Sequence, residues 1–132
     1  MYELSAKARF SAAHRLAGYD GSCAAYHGHN WDVEAFVCGE DLDETGILLD
    51  FRQLKTALRN VLEELDHKDL NAVPAFRDRN PTSENLARYI FEQLVPPIRA
   101  AGGTLDRVSV YETPDTRATY RETATARERT SA

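Results

Sequence analysis

The stretch HGHNWDVEAFV, residues 27–37, decides the fold because its side chains alternate with a period of two. Trp31 and the other odd-numbered residues share one mostly apolar face, whereas Asp32 and Glu34 belong to the opposite face. This period predicts a half-buried β-strand. The run YELSAKARF, residues 2–10, alternates in the same way and predicts a strand that pairs antiparallel with the first.

Downstream of this strand pair the pattern changes to helical spacing. Apolar residues recur every three or four positions from Phe51 to Leu65, and Asp50 is well placed to cap that helix. After a loop with two prolines, Thr82 or Ser83 caps a second helix. We expect Pro96-Pro97 to weaken or end this second helix, because proline lacks a backbone N–H.

Two further strands follow the helices, at residues 105–111 and 116–121. The order β-β-α-α-β-β predicts an α+β fold, a four-stranded antiparallel sheet with both helices on one face. Residues 1–121 are predicted to form a single domain, and residues 122–132 a flexible C-terminal tail. The open edges of such a sheet favour assembly into a homo-oligomer.

Composition narrows the class of function. The chain has 132 residues and a formal net charge of −5, which argues against a nucleic-acid-binding protein. The first ten residues lack the apolar core of a signal peptide, and no segment is apolar enough to span a membrane, so we expect a cytoplasmic protein. Two cysteines cannot supply a disulfide framework.

Three of the four histidines form a candidate metal site. His27 and His29 are separated by one residue, so both side chains point to the same face of a strand. His14 follows the first strand and can approach them across the hairpin. Three imidazoles with one open position are typical of catalytic zinc. The alternative is that these are surface histidines that happen to alternate.

Cys23 stands four residues before His27, and a thiol beside a metal centre is suited to act as a thiolate base. It could equally be a fourth zinc ligand or an inert loop residue. Asp66-His67 follows the first helix and offers a proton-transfer pair, or simply a histidine at a helix C-terminus. Glu112 ends an apolar strand face, where its carboxylate either binds an amino-pyrimidinone edge or is merely exposed.

Six segments together resemble one known family. In chain order they are FSAAHRL (10–16), CAAYHGH (23–29), GILLDF (46–51), LDHKDLN (65–71), PTSENLA (81–87) and VYETP (110–114). These segments are similar to the motifs of the 6-pyruvoyltetrahydropterin synthase family, and the resemblance extends to about Arg121.

This resemblance implies the T-fold, in which subunits join their sheets into a trimeric barrel, commonly stacked as a hexamer with active sites between subunits. It implies a zinc enzyme acting on a pterin triphosphate. Its site residues are expected to be zinc ligands (His14, His27, His29), catalytic residues (Cys23 as base, with Asp66 and His67 as a proton relay), and pterin-binding residues (Glu112, with Thr82 and Ser83 near it). Basic candidates for the triphosphate are Lys7, Arg9, Arg15 and Lys68.

The three-residue gap between Cys23 and His27 resembles the bacterial branch, which makes 6-carboxytetrahydropterin for queuosine or other 7-deazapurines. The branch with glutamate in place of the cysteine is excluded. Three alternatives remain: a synthase forming 6-pyruvoyltetrahydropterin, a general zinc hydrolase, and a non-enzymatic oligomeric module stabilised by zinc. A zinc hydrolase is disfavoured because no glutamate stands beside a zinc ligand in an arrangement such as His-Glu-x-x-His.

Overall fold

A computed structural model of the protein describes residues 1–19, 21 and 24–123. Within these residues, four antiparallel strands form one sheet in the order β1-β2-β3-β4, and two helices lie between the two strand pairs in sequence. This confirms the predicted architecture. The elements are β1 (Tyr2–His14), β2 (His27–Gly39), α1 (Phe51–Glu63), α2 (Ser83–Ala100), β3 (Thr104–Thr113) and β4 (Thr116–Tyr120).

The β1–β2 hairpin pairs as its alternation predicts. Phe10 lies opposite Trp31 in the register, and their rings stack with centroids 5.2 Å apart. Both residues are almost fully buried, on the sheet face that the helices cover. The opposite face is polar and carries cross-strand pairs such as Arg9 with Asp32, 2.8 Å apart.

Both helices begin at the predicted caps. Asp50 accepts a hydrogen bond from the Arg52 N–H at the start of α1, and Thr82 accepts one from the Asn85 N–H at the start of α2. Of the two outcomes expected for Pro96-Pro97, an end of the helix was wrong, because α2 continues through both prolines to Ala100. The prolines lie on the exposed side of the helix, where water can bind the freed carbonyls, and the buried Ile98 keeps the last turn docked.

The segment between the helices is more ordered than a plain loop. It contains two short 3₁₀ turns, Leu70–Ala72 and Pro74–Phe76, whose Leu70 and Phe76 side chains are buried. These two apolar contacts anchor the segment to the core.

The second half of β1 is covered along its outer edge, the edge away from β2. Ser11 donates its N–H to the Asp66 carboxylate and accepts from the His67 N–H, and the Ala13 N–H donates to the Lys68 carbonyl. β1 extends to His14, four residues beyond the predicted run, because residues 11–14 pair with β2 on one edge and are covered in this way on the other. No backbone partner along this edge is found for the first half of β1 in the described part of the chain.

None of the helices in the described ranges is long and apolar enough to cross a membrane. The predicted tail falls largely on residues 124–132, which lie outside the described residues, so the domain boundary at residue 121 stays a prediction.

Candidate metal centre

The three predicted ligands meet where the hairpin closes. His14 is the last residue of β1 and lies opposite His27, the first residue of β2, in the strand register. His29 lies two residues further along β2 and therefore points to the same face. The buried ring of Trp31 forms one wall, with its centroid 5.0 Å from that of His14 and 5.2 Å from that of His29.

A fourth side chain, Glu112 from the end of β3, joins the three histidines. One ligand atom of each of these residues lies within 4.8 Å of all the others. We call this group (His14, His27, His29 and Glu112) the His₃–Glu cluster. Sequence analysis placed Glu112 on the pterin ring; the structure places its carboxylate against the histidines, and its role toward a substrate stays a prediction.

The backbone contacts of two histidines define which ring nitrogen faces the cluster. Nδ1 of His14 lies 2.7 Å from the Pro81 carbonyl oxygen, and Nδ1 of His27 lies 2.8 Å from the Ala25 carbonyl oxygen. Because a carbonyl oxygen only accepts, both Nδ1 atoms must carry the proton. The neutral rings then direct their Nε2 lone pairs at each other across 2.8 Å. Such an arrangement requires a proton or a cation between the two nitrogens.

The surroundings of His29 also indicate that a cation belongs in the cluster. Its Nε2 atom lies 2.7 Å from Oε1 of Glu112, but the two atoms do not form a hydrogen bond. This buried nitrogen therefore has no hydrogen-bond partner in the described part of the chain. An orphaned imidazole nitrogen beside a carboxylate fits a bound cation, and three imidazoles with one carboxylate are a donor set that Zn²⁺ accepts.

Burial also keeps His14 in the form that binds metal. Its side chain is 1% exposed, and this desolvation lowers the pKa of His14, although the hydrogen bond to Pro81 opposes the shift. A lowered pKa leaves the ring neutral near pH 7, and only a neutral imidazole offers a lone pair to a metal.

Residues at the start of α2 form hydrogen bonds that hold two members of the cluster, His14 and Glu112. The Pro81 carbonyl holds His14, and the Asn80 carbonyl just before it accepts a hydrogen bond of 2.8 Å from the Asn85 side chain. Ser83 donates its hydroxyl to Oε2 of Glu112 at 3.3 Å. Thr82 caps the helix by accepting from the Asn85 N–H, and within the described residues its side chain forms no hydrogen bond to the cluster. Sequence analysis missed Pro81 and Asn85, because neither the carbonyl of Pro81 nor the side-chain amide of Asn85 indicates its partner through its residue type.

The predicted proton-transfer pair lies apart from the cluster, at the covered edge of β1. Oδ2 of Asp66 is 3.0 Å from Nδ1 of His67, and its other oxygen accepts the Ser11 N–H at 2.9 Å. These contacts, first that of Ser11 and then that of His67, lower the pKa of Asp66. The His67 side chain is 81% exposed, and its backbone φ of 59° lies in the left-handed region that non-glycine residues rarely occupy.

An open groove of about 580 Å³ lies beside the exposed pair. Its lining includes His67 and His29, together with Ser11, Gly28 and Asn30, which alternate along their strands with the residues of the cluster face. Cys23, the predicted base, lies outside the described residues, so its placement stays a prediction.

Comparison with known proteins agrees with this geometry. The family model described as 6-pyruvoyl tetrahydropterin synthase matches residues 3–123. The chain belongs to the 6-pyruvoyl tetrahydropterin synthase family. The predicted family is thereby confirmed, and the family's solved structures share the T-fold architecture seen here.

Relatives in this family carry two different names. The human 6-pyruvoyl tetrahydrobiopterin synthase is 35% identical over an alignment of 135 positions, which covers 90% of each chain. A protein of Archaeoglobus fulgidus provisionally named 6-carboxy-5,6,7,8-tetrahydropterin synthase is 37% identical over 106 residues, covering 80% of this chain and 84% of that one. The structure of Caenorhabditis elegans 6-pyruvoyl tetrahydropterin synthase superposes with a TM-score of 0.83 at 31% identity, covering 92% of this chain and 96% of that chain.

Proposed function

We propose that the protein is a zinc-dependent lyase that converts 7,8-dihydroneopterin triphosphate into 6-carboxytetrahydropterin, acetaldehyde and triphosphate. The observation that carries this proposal is the His₃–Glu cluster, present in a chain of this family. The overall equation balances when one water is consumed. It needs no external oxidant or reductant, because the ring is reduced by two electrons while the side chain of the same substrate is oxidised by two electrons.

We assign two roles to the residues of the cluster: the histidines hold the metal, and Glu112 positions the pterin ring. His14, His27 and His29 would hold zinc, which when bound supplies a Lewis acid for the side-chain hydroxyls of the substrate. Glu112 is 29% exposed, so its carboxylate can reach a pterin ring beside the metal. Ser83 donates to Oε2 of that carboxylate, which leaves Oε1 beside Nε2 of His29.

We assign proton transfer to three residues outside the cluster, Asp66, His67 and Cys23. Asp66 contacts Nδ1 of His67, and this contact orients the ring and leaves Nε2 facing outward. The high exposure of His67 makes Nε2 accessible to a bound molecule. Cys23 is proposed as the thiolate base, because it precedes a zinc ligand by only four residues.

Edge geometry supports a site shared between two copies of the chain. β1 runs toward the His₃–Glu cluster and β4 runs away from it, so β4 of a second copy can pair antiparallel with the open first half of β1. That β4 would lie in line with Asp66-His67, which covers the same edge of β1 further along. Glu112 of the second copy would then be one strand away, about 4.8 Å further across the sheet.

A second candidate is the synthase that forms 6-pyruvoyltetrahydropterin. The human and C. elegans relatives that bear this name are 35% and 31% identical to the chain, close to the value for the A. fulgidus protein. This reaction eliminates triphosphate without consuming water and keeps all carbon atoms. The three-residue gap between Cys23 and His27 is the feature that favours the carboxy product.

Incubation of zinc-loaded protein with 7,8-dihydroneopterin triphosphate, followed by mass analysis, tests the proposal. We expect 6-carboxytetrahydropterin and acetaldehyde in equal amounts. A pyruvoyl product without acetaldehyde would establish the second candidate. Absence of turnover by folded protein with a full complement of zinc would contradict both candidates and favour a binding module.

The shared site has its own test, using variants defective in different parts. Coexpression of His27→Ala and His67→Ala chains should restore turnover that neither variant shows alone. Random assembly leaves about a quarter of the sites with an intact cluster from one copy and an intact His67 from its neighbour. Recovery of no activity in mixed oligomers that retain zinc would show that each site is built within one copy.

A further inference from the structure

A second groove opens beyond the end of β1, between the chain that leaves β1 and the segment before α2. It has a volume of about 640 Å³, and three arginines contribute to its lining. We call it the arginine groove and define it by Arg15, Tyr26, Asn71, Arg77, Arg79 and Asn80.

The arginines of this groove are available for an anion. Arg15, Arg77 and Arg79 form no ion pair among residues 1–19, 21 and 24–123, whereas Arg9 pairs with Asp32. Two aspartates, Asp69 and Asp78, also line the groove, so its formal charge is +1 in a chain whose net charge is −5.

One of these aspartates is already engaged by polar groups. The Asp69 carboxylate accepts a hydrogen bond from the Asn71 N–H at 3.1 Å and one from the Tyr26 hydroxyl at 3.3 Å. The Arg15 guanidinium lies 5.5 Å from the centroid of the Tyr26 ring, so the ring helps to position that cation.

Two asparagine side chains hold the groove together by bonding the backbone as a neighbouring strand would. Asn71 accepts from the Arg15 N–H at 2.9 Å and donates to the Arg15 carbonyl at 3.1 Å. Asn80 makes the same pair with Ala17, at 2.9 and 2.8 Å. Both walls are therefore fixed relative to each other, which lowers the cost of ordering them around a ligand.

The groove adjoins the His₃–Glu cluster along the chain. Arg15 follows His14 directly, and Tyr26 directly precedes His27. The cluster runs from Glu112 on β3 through two histidines on β2 to His14 at the end of β1, and the arginine groove begins beyond this end of the β1–β2 hairpin, at Arg15 and Tyr26. The two strand spacings between β3 and β1 span about 10 Å.

This order matches the order of chemical groups in the proposed substrate: a ring, a hydroxylated three-carbon chain and a triphosphate. We propose that the arginine groove binds the triphosphate, with Arg77 and Arg79 as its principal ligands; this inference rests on the proposed function. Guanidinium groups suit the task because they bind phosphate oxygens in pairs. Of the basic residues suggested by the sequence, the groove includes Arg15 alone.

Binding of inorganic triphosphate, measured by calorimetry on the zinc-loaded protein, tests the groove without turnover. The Arg77→Gln/Arg79→Gln double variant should weaken binding at least tenfold, since charge-assisted hydrogen bonds are lost. Arg59→Gln, which removes an exposed arginine from α1, is the control and should bind as the wild type does. Equal affinity in the double variant and the wild type would overturn the proposal.

Turnover separates this proposal from the proposed function and shows whether the triphosphate is that of the substrate. If the wild type converts 7,8-dihydroneopterin triphosphate, the double variant should raise KM about tenfold and leave kcat within about twofold, because uniform binding is lost. Turnover with an unchanged KM would overturn the subsite and leave the function intact. If the wild type does not convert this substrate, the proposed function is wrong. Loss of inorganic triphosphate binding in the double variant would still support an anion site in the arginine groove.

Discussion

The His₃–Glu cluster and the Asp66-His67 pair differ in how completely one chain builds them. His14 is 1% exposed, and the Nδ1 atoms of His14 and His27 have backbone partners in the same chain. His67 is 81% exposed, and within the described residues its side chain pairs with that of its own neighbour, Asp66. We infer that metal binding is a property of one copy, whereas proton transfer needs a second copy to bring the substrate to His67.

Removal of a cluster histidine should have the largest effect. Protein zinc sites bind with about 10–16 kcal/mol, and His27 is one of three proposed ligands, so His27→Ala should weaken zinc binding by roughly 10³-fold. Trp31, the chain's single tryptophan, lies beside two of the ligands, and its fluorescence can report a zinc titration. The matched control is His67→Ala, which makes the same change at the exposed histidine; loss of zinc there as well would remove the contrast between the two regions.

His67→Ala should reduce turnover and leave zinc affinity at its wild-type value. A positioned general acid or base contributes about 10²–10⁴-fold to a rate, and kcat should fall by about 10²-fold, at the lower end of that range, while KM changes little. Steady-state kinetics at saturating zinc gives both constants. A kcat within about threefold of the wild type would mean that His67 serves only to cover the edge of β1 through its backbone.

Much of this contrast follows from the sequence, because it depends on period and spacing. Alternation placed His27, His29 and Trp31 on one face, and the same rule joined Glu112 to the apolar face of β3. Pairing antiparallel with β2 then brought His14 opposite His27. Local pattern is enough here because neighbouring strands in a hairpin are held in register by their side chains.

Features that depend on distant segments were not predictable in this way. The Pro81 carbonyl meets His14 across 67 positions of sequence, and Asn80 bonds the backbone of Ala17 across 63. A backbone oxygen or an asparagine amide has no residue pattern that indicates its partner. The continuation of α2 through Pro96-Pro97 likewise depends on tertiary packing, which outweighs local propensity.

Loss of the Asn85–Asn80 hydrogen bond, which supports the turn that holds His14, should have an intermediate effect on zinc affinity. Asn85→Asp keeps the size of the side chain but cannot donate to the Asn80 carbonyl, so the turn that presents Pro81 should loosen. We expect about a tenfold loss of zinc affinity, as for other groups that orient metal ligands, with a stability change of about 1 kcal/mol. Asn60→Asp on the exposed side of α1 is the matched control. Zinc affinity equal in all three proteins would show that His14 is held by burial alone.

The smallest effect should be the response of Asp66 to acid. Its pKa is lowered from the ordinary value of 3.8, first by the Ser11 N–H and then by His67, so the folded state favours the charged carboxylate. The resulting stabilisation is present above about pH 4 and is lost as pH falls through the folded-state pKa. Hydrogen exchange should therefore show the Ser11 amide losing protection with acid, relative to the Ala13 amide, whose acceptor is the Lys68 carbonyl and does not titrate. In Asp66→Asn the ratio of the two protection factors should become independent of pH; a ratio that changes in the variant as in the wild type would assign the acid response to another group.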